Sequence, residues 1–375
     1  MSRTKKAVKN TLVGLVCTGV SYVLSFVLQA VFIRLLGLEY AGVNSLFTNI
    51  LKILNIADLG FNNAILFKLY KTIAEEDDEA TEMYLTLYRK ICYGVSFVVA
   101  FAGLCCIPFL GDLINGEVTF REPLWSLYII VLGTSVANQI FNYTGILLIA
   151  KQDRYIHIII EYACIFLKHL LQIFALLVSK NIYLYLLIGL GVAILKGLVT
   201  GLVSAKKYKL SSHSKRKITK EESKDITKDV GTLAVFKLCR TLNSTLDTFL
   251  ISKFIAVSET AIYGSTVVLT DGLGTLISTI NDGIIAGVGN QNALGDKDGV
   301  EHTLRMSVHI MYLLYGICAA VLIPFTSMFM NWWIGYSLPD LCIYALVLIF
   351  YCNGINSNIA TYRNSMQASI IKAMT

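Results

Sequence analysis

Ile182–Ser204 reads IYLYLLIGLGVAILKGLVTGLVS, twenty-three residues carrying one charge, Lys196. The apolar core of a bilayer is crossed by about 20 residues of α-helix. Lipid offers no partner to an open backbone, so such a stretch is expected to be helical. Lys180 stands before it, and Lys206 and Lys207 follow it. Nine further stretches have the same character, at 11–33, 42–66, 91–111, 124–150, 156–178, 231–252, 262–289, 306–330 and 341–359. With the amino terminus placed inside, 23 of the 32 Lys and Arg residues fall on inner connections and four on outer ones. That excess fixes the orientation expected of a multi-pass membrane protein with a cytoplasmic amino terminus. The remaining five, Lys52, Lys168, Lys196, Lys237 and Arg240, lie within the spans. Intramembrane cations are costly, which makes them the first candidates for function.

The composition agrees. The chain is 55% hydrophobic and only 15% charged, which excludes a soluble enzyme and a disordered chain. The net charge of +7 is mostly the inner-side excess, suited to anionic membrane lipids. It is dispersed over six inner segments, a poor pattern for nucleic acid. The first apolar stretch has no small-residue cleavage site after a short apolar core, so it is expected to stay as a helix. Nine cysteines, among them Cys17, Cys92, Cys164, Cys318 and the adjacent pair Cys105 and Cys106, have no metal-ligand spacing. They read as small buried apolar residues. No cofactor or metal is expected.

The expected organisation is an all-α polytopic protein. A six-helix bundle at 1–204 is followed by a basic linker at 205–230, a four-helix partial bundle at 231–359 and a tail at 360–375. The outer connections are short, the longest from Asp112 to Pro123, and Trp332 and Trp333 suit an interfacial belt. The inner loop from Phe67 to Lys90 carries the acidic run Glu75, Glu76, Asp77, Asp78, Glu79. The halves echo one another. Leu36–Ser45 is similar to Ile255–Ser265, with Glu39 and Glu259, and Ala41 and Ala261, each 220 positions apart. Ala57–Gly60 resembles Asn281–Gly283. An even number of spans separates the units, so the repeat is parallel, about an axis along the membrane normal.

Polar residues recur at steps of three and four, one helix face each. Span one has Ser21, Ser25 and Gln29. Span two has Asn44, Thr48, Lys52, Asn55 and Asn62. Span five has His157, Glu161, Lys168 and Gln172. Span seven has Lys237, Arg240, Ser244 and Asp247. Span eight has Ser265, Asp271, Thr275, Ser278 and Asp282. A charge at the bilayer centre costs at least about 2.5–3.5 kcal/mol, so these faces turn to protein or water. Mutual pairing of helices is one outcome. A hydrated, net-cationic cavity between two bundles is the other, favoured because five spans carry such stripes. Asp58, Asp247, Asp271 and Asp282 are candidates for proton or sodium coupling or for charge balance, and His157 and His169 read as structural. No phosphate-cradling glycine loop, HExxH or GxSxG occurs, and no enzyme is expected.

The segment Phe32–Phe47, FIRLLGLEYAGVNSLF, resembles the junction of the first two helices in polysaccharide-repeat flippases, the Wzx-type branch of the multidrug/oligosaccharidyl-lipid/polysaccharide exporter superfamily. Ala57–Ile65, Leu69–Lys71 and Ala360–Asn364 fit the same pattern. The resemblance implies two helix bundles around a cavity and alternating access. It implies transfer of undecaprenyl-pyrophosphate-linked oligosaccharide across the bacterial cytoplasmic membrane for surface polysaccharide synthesis. H+ or Na+ is the coupling ion that the intramembrane aspartates would serve, and a polysaccharide polymerase is a candidate partner. Arg34 lies in the matching block and is carried over as a substrate-binding residue. Lys52, Lys237 and Arg240 join it from the stripe argument, and Asp58 and Asp247 are assigned ion coupling or charge balance. Members of that family have twelve or fourteen helices, so a chain stopping at Thr375 is expected to be truncated with an incomplete second bundle. The competing readings are a drug/cation antiporter of the same superfamily, a membrane polysaccharide polymerase or acyltransferase, and a non-transporting scaffold.

Overall fold

Helix follows helix through the computed structural model, which describes residues 3–55, 58–115, 122–208, 238–239, 241–242, 245–293 and 297–356. No strand occurs among the described residues. The chain divides into two compact units, 1–261 and 262–375. The first unit opens with α1 (Arg3–Leu36) and α2 (Leu38–Leu54), joined through Gly37 at φ +98°, a left-handed backbone that favours glycine. Arg34 sits in the last turn of α1, where the helix dipole favours a cation. The expected single span at 42–66 is instead two helices, α2 and α3 (Asp58–Ala74), with Asn55 closing α2.

The acidic run then has a local role. Lys71 pairs with Glu75 at 3.9 Å, and the Asp77 carboxylate accepts the Ala80 N–H at 2.9 Å, capping α4 (Asp78–Cys106). Short 3₁₀ turns at Ile107–Phe109 and Gly111–Leu113 end that segment. The expected span at 124–150 is α5 (Leu124–Ile140), a 3₁₀ turn Asn142–Gly145, and α6 (Ile146–Ala150). Next come α7 (Arg154–Ser179) and α8 (Ile182–Tyr208). The Asn181 side chain accepts the Tyr183 N–H at 2.8 Å at the start of α8.

Packing runs α1 on α7, α7 on α8, α8 on α5, α5 on α4 and α4 on α3, with α2 against α1, α4 and α5. One core joins Ile65, Leu69, Tyr88, Cys92, Ile146 and Leu147 from α3, α4 and α6. At the far end of α8, the Lys207 ammonium meets Asp153 at 2.7 Å and the Tyr208 hydroxyl donates to the same carboxylate at 2.5 Å. The helical segment 245–254, α9, is fastened to this unit. Asn49 Nδ2 donates to Thr248 Oγ1 at 3.1 Å, and the Ser252 hydroxyl donates to the Leu113 carbonyl at 2.7 Å. A Cβ at Gly42 would lie 1.9 Å from the Val257 carbonyl oxygen, so only glycine permits that approach.

The second unit contains most of α10 (Val257–Ala293), α11 (Lys297–Ile334) and α12 (Asp340–Asn356). Ile277, Met311 and Tyr315 form its core, with the Tyr315 and Phe350 rings 5.1 Å apart. The two blocks that echo in sequence both open a helix with a glutamate in its first turn, Glu39 in α2 and Glu259 in α10.

Six helical segments among the described residues are long and apolar enough to cross a membrane: Val16–Leu36, Asp78–Phe109, Leu124–Ala150, Arg154–Ser179, Ile182–Tyr208 and Gly299–Ile334. Large apolar side chains stand outward from them, with Phe97 at 73% exposure and Phe174 at 67%. Apolar surface on this scale needs lipid. All nine cysteines are free. Cys92 and Cys164 are buried, whereas Cys105, Cys239, Cys342 and Cys352 are exposed, against the expectation of burial. A thiol is apolar enough to sit on an outward surface among such residues.

Candidate substrate-binding site

Four helices of the first unit leave a cavity of about 430 Å³ between them. Asn44, Thr48 and Lys52 come from one face of α2, with Asn55 at its cap. Thr134, Ser135 and Asn138 come from α5, Cys164, Lys168 and Gln172 from α7, and Tyr185, Gly189 and Lys196 from α8. The steps of four and three that align Asn44, Thr48, Lys52 and Asn55 are those of a single helical stripe. Gln172 Nε2 donates to the Tyr185 carbonyl at 3.0 Å, tying α7 to α8. Asn55 Nδ2 donates to Ser135 Oγ at 2.6 Å, tying α2 to α5.

The charge of the cavity is one-sided. Lys52, Lys168 and Lys196 line it, and no Asp or Glu among the described residues does. Among the described residues none of the three ammonium groups forms an ion pair. Lys168 and Lys196 reach this cavity from the adjacent helices α7 and α8. Three like charges without a carboxylate partner are tolerated at membrane depth only with water or an anion beside them. Such a concavity attracts anions and rejects cations: a unit charge about 4 Å away is worth about 4 kcal/mol at the effective dielectric of a protein surface.

The other sequence candidates are placed as follows. Arg34 is exposed at the end of α1 and does not line the cavity. Lys237 and Arg240 lie outside the described residues. Asp58 opens α3, with its side chain outside those described, and Asp247 is half-buried on α9. His157 packs against Gly145, and His169 is buried at 6% exposure.

Sequence reasoning counted Lys168 and Lys196 among the intramembrane cations but did not carry them into the substrate-binding set, and it missed the α5 contribution altogether. The signal was present: Ser135, Gln139 and Asn142 recur at steps of four and three beside Thr134 and Asn138. These side chains are neutral and sit in an otherwise apolar run, so the charge pattern passed over them.

This arrangement defines the class, a multi-pass membrane protein whose fold is shared with solved transporters of the MOP superfamily. Three solved structures carry the comparison. A MATE transporter in complex with MaD3S superposes with TM-score 0.64 at 13% identity, covering 98% of this chain and 82% of that one. A mutant of a Vibrio cholerae MATE transporter gives TM-score 0.62 at 12% identity, covering 98% and 86%. A MOP superfamily transporter from Pyrococcus furiosus, described as having a binding pocket of reversed polarity that suggests a different function, gives TM-score 0.60 at 14% identity, covering 98% and 84%. The chain belongs to the polysaccharide biosynthesis protein family, whose model matches residues 7–283. That agrees with the resemblance to polysaccharide-repeat flippases. No curated protein matches the chain in sequence.

Proposed function

We propose that this protein flips undecaprenyl-pyrophosphate-linked oligosaccharide repeat units across the bacterial cytoplasmic membrane, by alternating access, for surface polysaccharide synthesis. The observation that carries the reading is the cavity, lined among the described residues by three lysines and by no carboxylate. Moving a hydroxyl into hydrocarbon without a partner costs roughly 4–8 kcal/mol. A sugar repeat with a diphosphate therefore meets a barrier on the order of tens of kcal/mol, and unaided transfer is negligible. A polar cavity removes that barrier while the polyprenyl tail stays in lipid. Lys52, Lys168 and Lys196 receive the diphosphate, and Lys237 and Arg240 add charge from the later part of the chain. Arg34 meets the headgroup outside the cavity. Asp58 and Asp247 serve coupling to H+ or Na+, or charge balance. The amino terminus is cytoplasmic, and a polysaccharide polymerase receives the product.

The fold is shared with drug transporters, but a cationic drug would meet repulsion from all three lysines. A competition experiment separates the readings. Purified protein in nanodiscs is given citronellyl diphosphate and, separately, a lipophilic quaternary ammonium ion. The expected result is binding of the diphosphate alone, weakened about tenfold or more by Lys168→Gln or Lys196→Gln, which corresponds to about 1.4 kcal/mol or more. Binding of the cation alone would favour the antiporter.

A further inference from the structure

The sequence repeat and the packing divide the chain at different places. By the repeat, Leu36–Ser45 answers to Ile255–Ser265, so the span ahead of Ile255 opens the second copy. Its described part, α9, nevertheless lies in the first compact unit and is held at its outer end to elements of the first copy. A strap at 113–115, between α4 and α5, makes three of the bonds. The Ser252 hydroxyl donates to the Leu113 carbonyl at 2.7 Å, the Asn115 N–H donates to the Ser252 carbonyl at 3.0 Å, and the Val257 N–H donates to the Asn115 carbonyl at 3.3 Å. A fourth joins Asn49 to Thr248, and Gly42 brings α2 against the Val257 carbonyl. With the amino terminus inside, all of these positions lie on the outer side.

The face that α9 buries differs from that of a permanent helix contact. Thr245, Thr248 and Ser252, at steps of three and four, are 0%, 4% and 0% exposed, and they are the buried residues of α9 among those described. Leu246, Leu250 and Phe254, along the other side, are exposed. An apolar core such as that of Ile65, Leu69 and Tyr88 parts only at high cost, because parting wets large side chains. A hydroxyl or amide that leaves its partner takes up water instead, and the net loss per bond is small. A surface that is dry in one state and wet in another needs this composition. On α2 the two roles adjoin: Asn44, Thr48 and Lys52 line the cavity, while Gly42 and Asn49 meet the second copy.

We propose that the strap at 113–115, with Ser252, Asn49 and Gly42, is a releasable outer clamp. It holds α9 and the start of α10 against α2 in this structure, and it parts to open the cavity outward when the cargo leaves. The inference rests on the alternating-access reading and deepens it, without depending on which cargo is carried. All four bonds join neutral groups, so main-chain and hydroxyl contacts, not charges, set how firmly the outer end closes.

Two measurements on the full chain test the clamp, both with the native cysteines changed to alanine. In the first, Thr48→Cys is placed in the cavity, and a membrane-impermeant anionic methanethiosulfonate is added outside spheroplasts of expressing cells. Labelling is expected to be slow, and several-fold faster with Asn115→Pro or, separately, Ser252→Ala. Proline at 115 deletes the donor, and Ile114 before it already has the extended backbone, φ −109° and ψ 116°, that a following proline requires. Asn115 is exposed, so that change leaves the core intact. A labelling rate unmoved by both substitutions would overturn the clamp. In the second, Asn49→Cys and Thr248→Cys are joined by a short bis-methanethiosulfonate. The joined protein is expected to bind citronellyl diphosphate yet to carry no lipid-linked oligosaccharide in liposomes, and reduction is expected to restore transfer. Transfer by the joined protein would make α9 a fixed part of the first unit and overturn the clamp, as would failure of the pair to join. Absence of transfer by the unsubstituted protein would instead overturn the flippase reading, and the labelling measurement, which needs no cargo, would still decide the clamp.

Discussion

Lys196 illustrates how much a single position discloses through its neighbours in the chain. One cation inside an apolar run of twenty-three residues marks a site with a reason to exist, because the cost of insertion needs a compensating role. Its meeting with Lys52 and Lys168 was not legible, since the three stand on three helices and only packing brings them to one cavity. Glycine positions behave in the same way. A Cβ at Gly197 would lie 2.1 Å from the Phe141 ring, whereas nothing stands within 4 Å of Gly191 earlier on the same helix. Gly197→Ala is therefore expected to cost about 1–3 kcal/mol through overpacking. Gly191→Ala should be neutral or stabilising by about 0.5–1 kcal/mol, because an open helical glycine only adds backbone entropy to lose. Thermal unfolding in detergent reads both, and equal effects would show that the close approach of α8 to Phe141 is wrong.

At the scale of elements, hydropathy located helices better than it located their ends. The stretches at 156–178 and 182–204 became α7 and α8 almost unchanged, being apolar on most faces and bounded by charge. The stretch at 42–66 separated into α2 and α3, and 124–150 broke at Asn142–Gly145, because a window average cannot register a local turn inside an apolar run. The polar stripe of α2 was readable from its steps of three and four, and it does face the cavity. The stripe of α5 was hidden by its neutrality. The placing of α9 was also beyond the sequence, since it depends on a few specific bonds to α2 and to Leu113. Thr248→Val removes the acceptor from the buried Asn49 amide, with Thr248 itself only 4% exposed. An expected loss of about 1 kcal/mol follows from leaving one of the two Asn49 amide N–H groups unpaired, the other still donating to the Ser45 carbonyl at 3.1 Å. Urea or thermal unfolding measures it, and a loss of under about 0.5 kcal/mol would mean the bond does not hold α9 in solution.

For the whole molecule, the membrane character followed from composition, and the family from a short block near the first helix junction. Both agree with the fold, because lipid leaves so few backbone arrangements open. The chemistry of transport is set by polarity: a shared transporter fold carries different cargo according to the charges inside it. In the cavity of the first unit the charge among the described residues is positive. Anion binding by three lysines should also weaken as salt rises, so raising sodium chloride from about 50 to about 500 mM is expected to reduce affinity for citronellyl diphosphate several-fold. An affinity independent of salt would place the diphosphate away from the lysines. The most direct measurement reconstitutes the purified protein in liposomes with a lipid-linked oligosaccharide and follows its headgroup with a membrane-impermeant glycosidase. The wild type is expected to carry the headgroup between leaflets, and a variant with Lys52, Lys168 and Lys196 all changed to Gln, incorporated to the same level, is expected not to. Transfer by that variant at the wild-type rate would contradict the account.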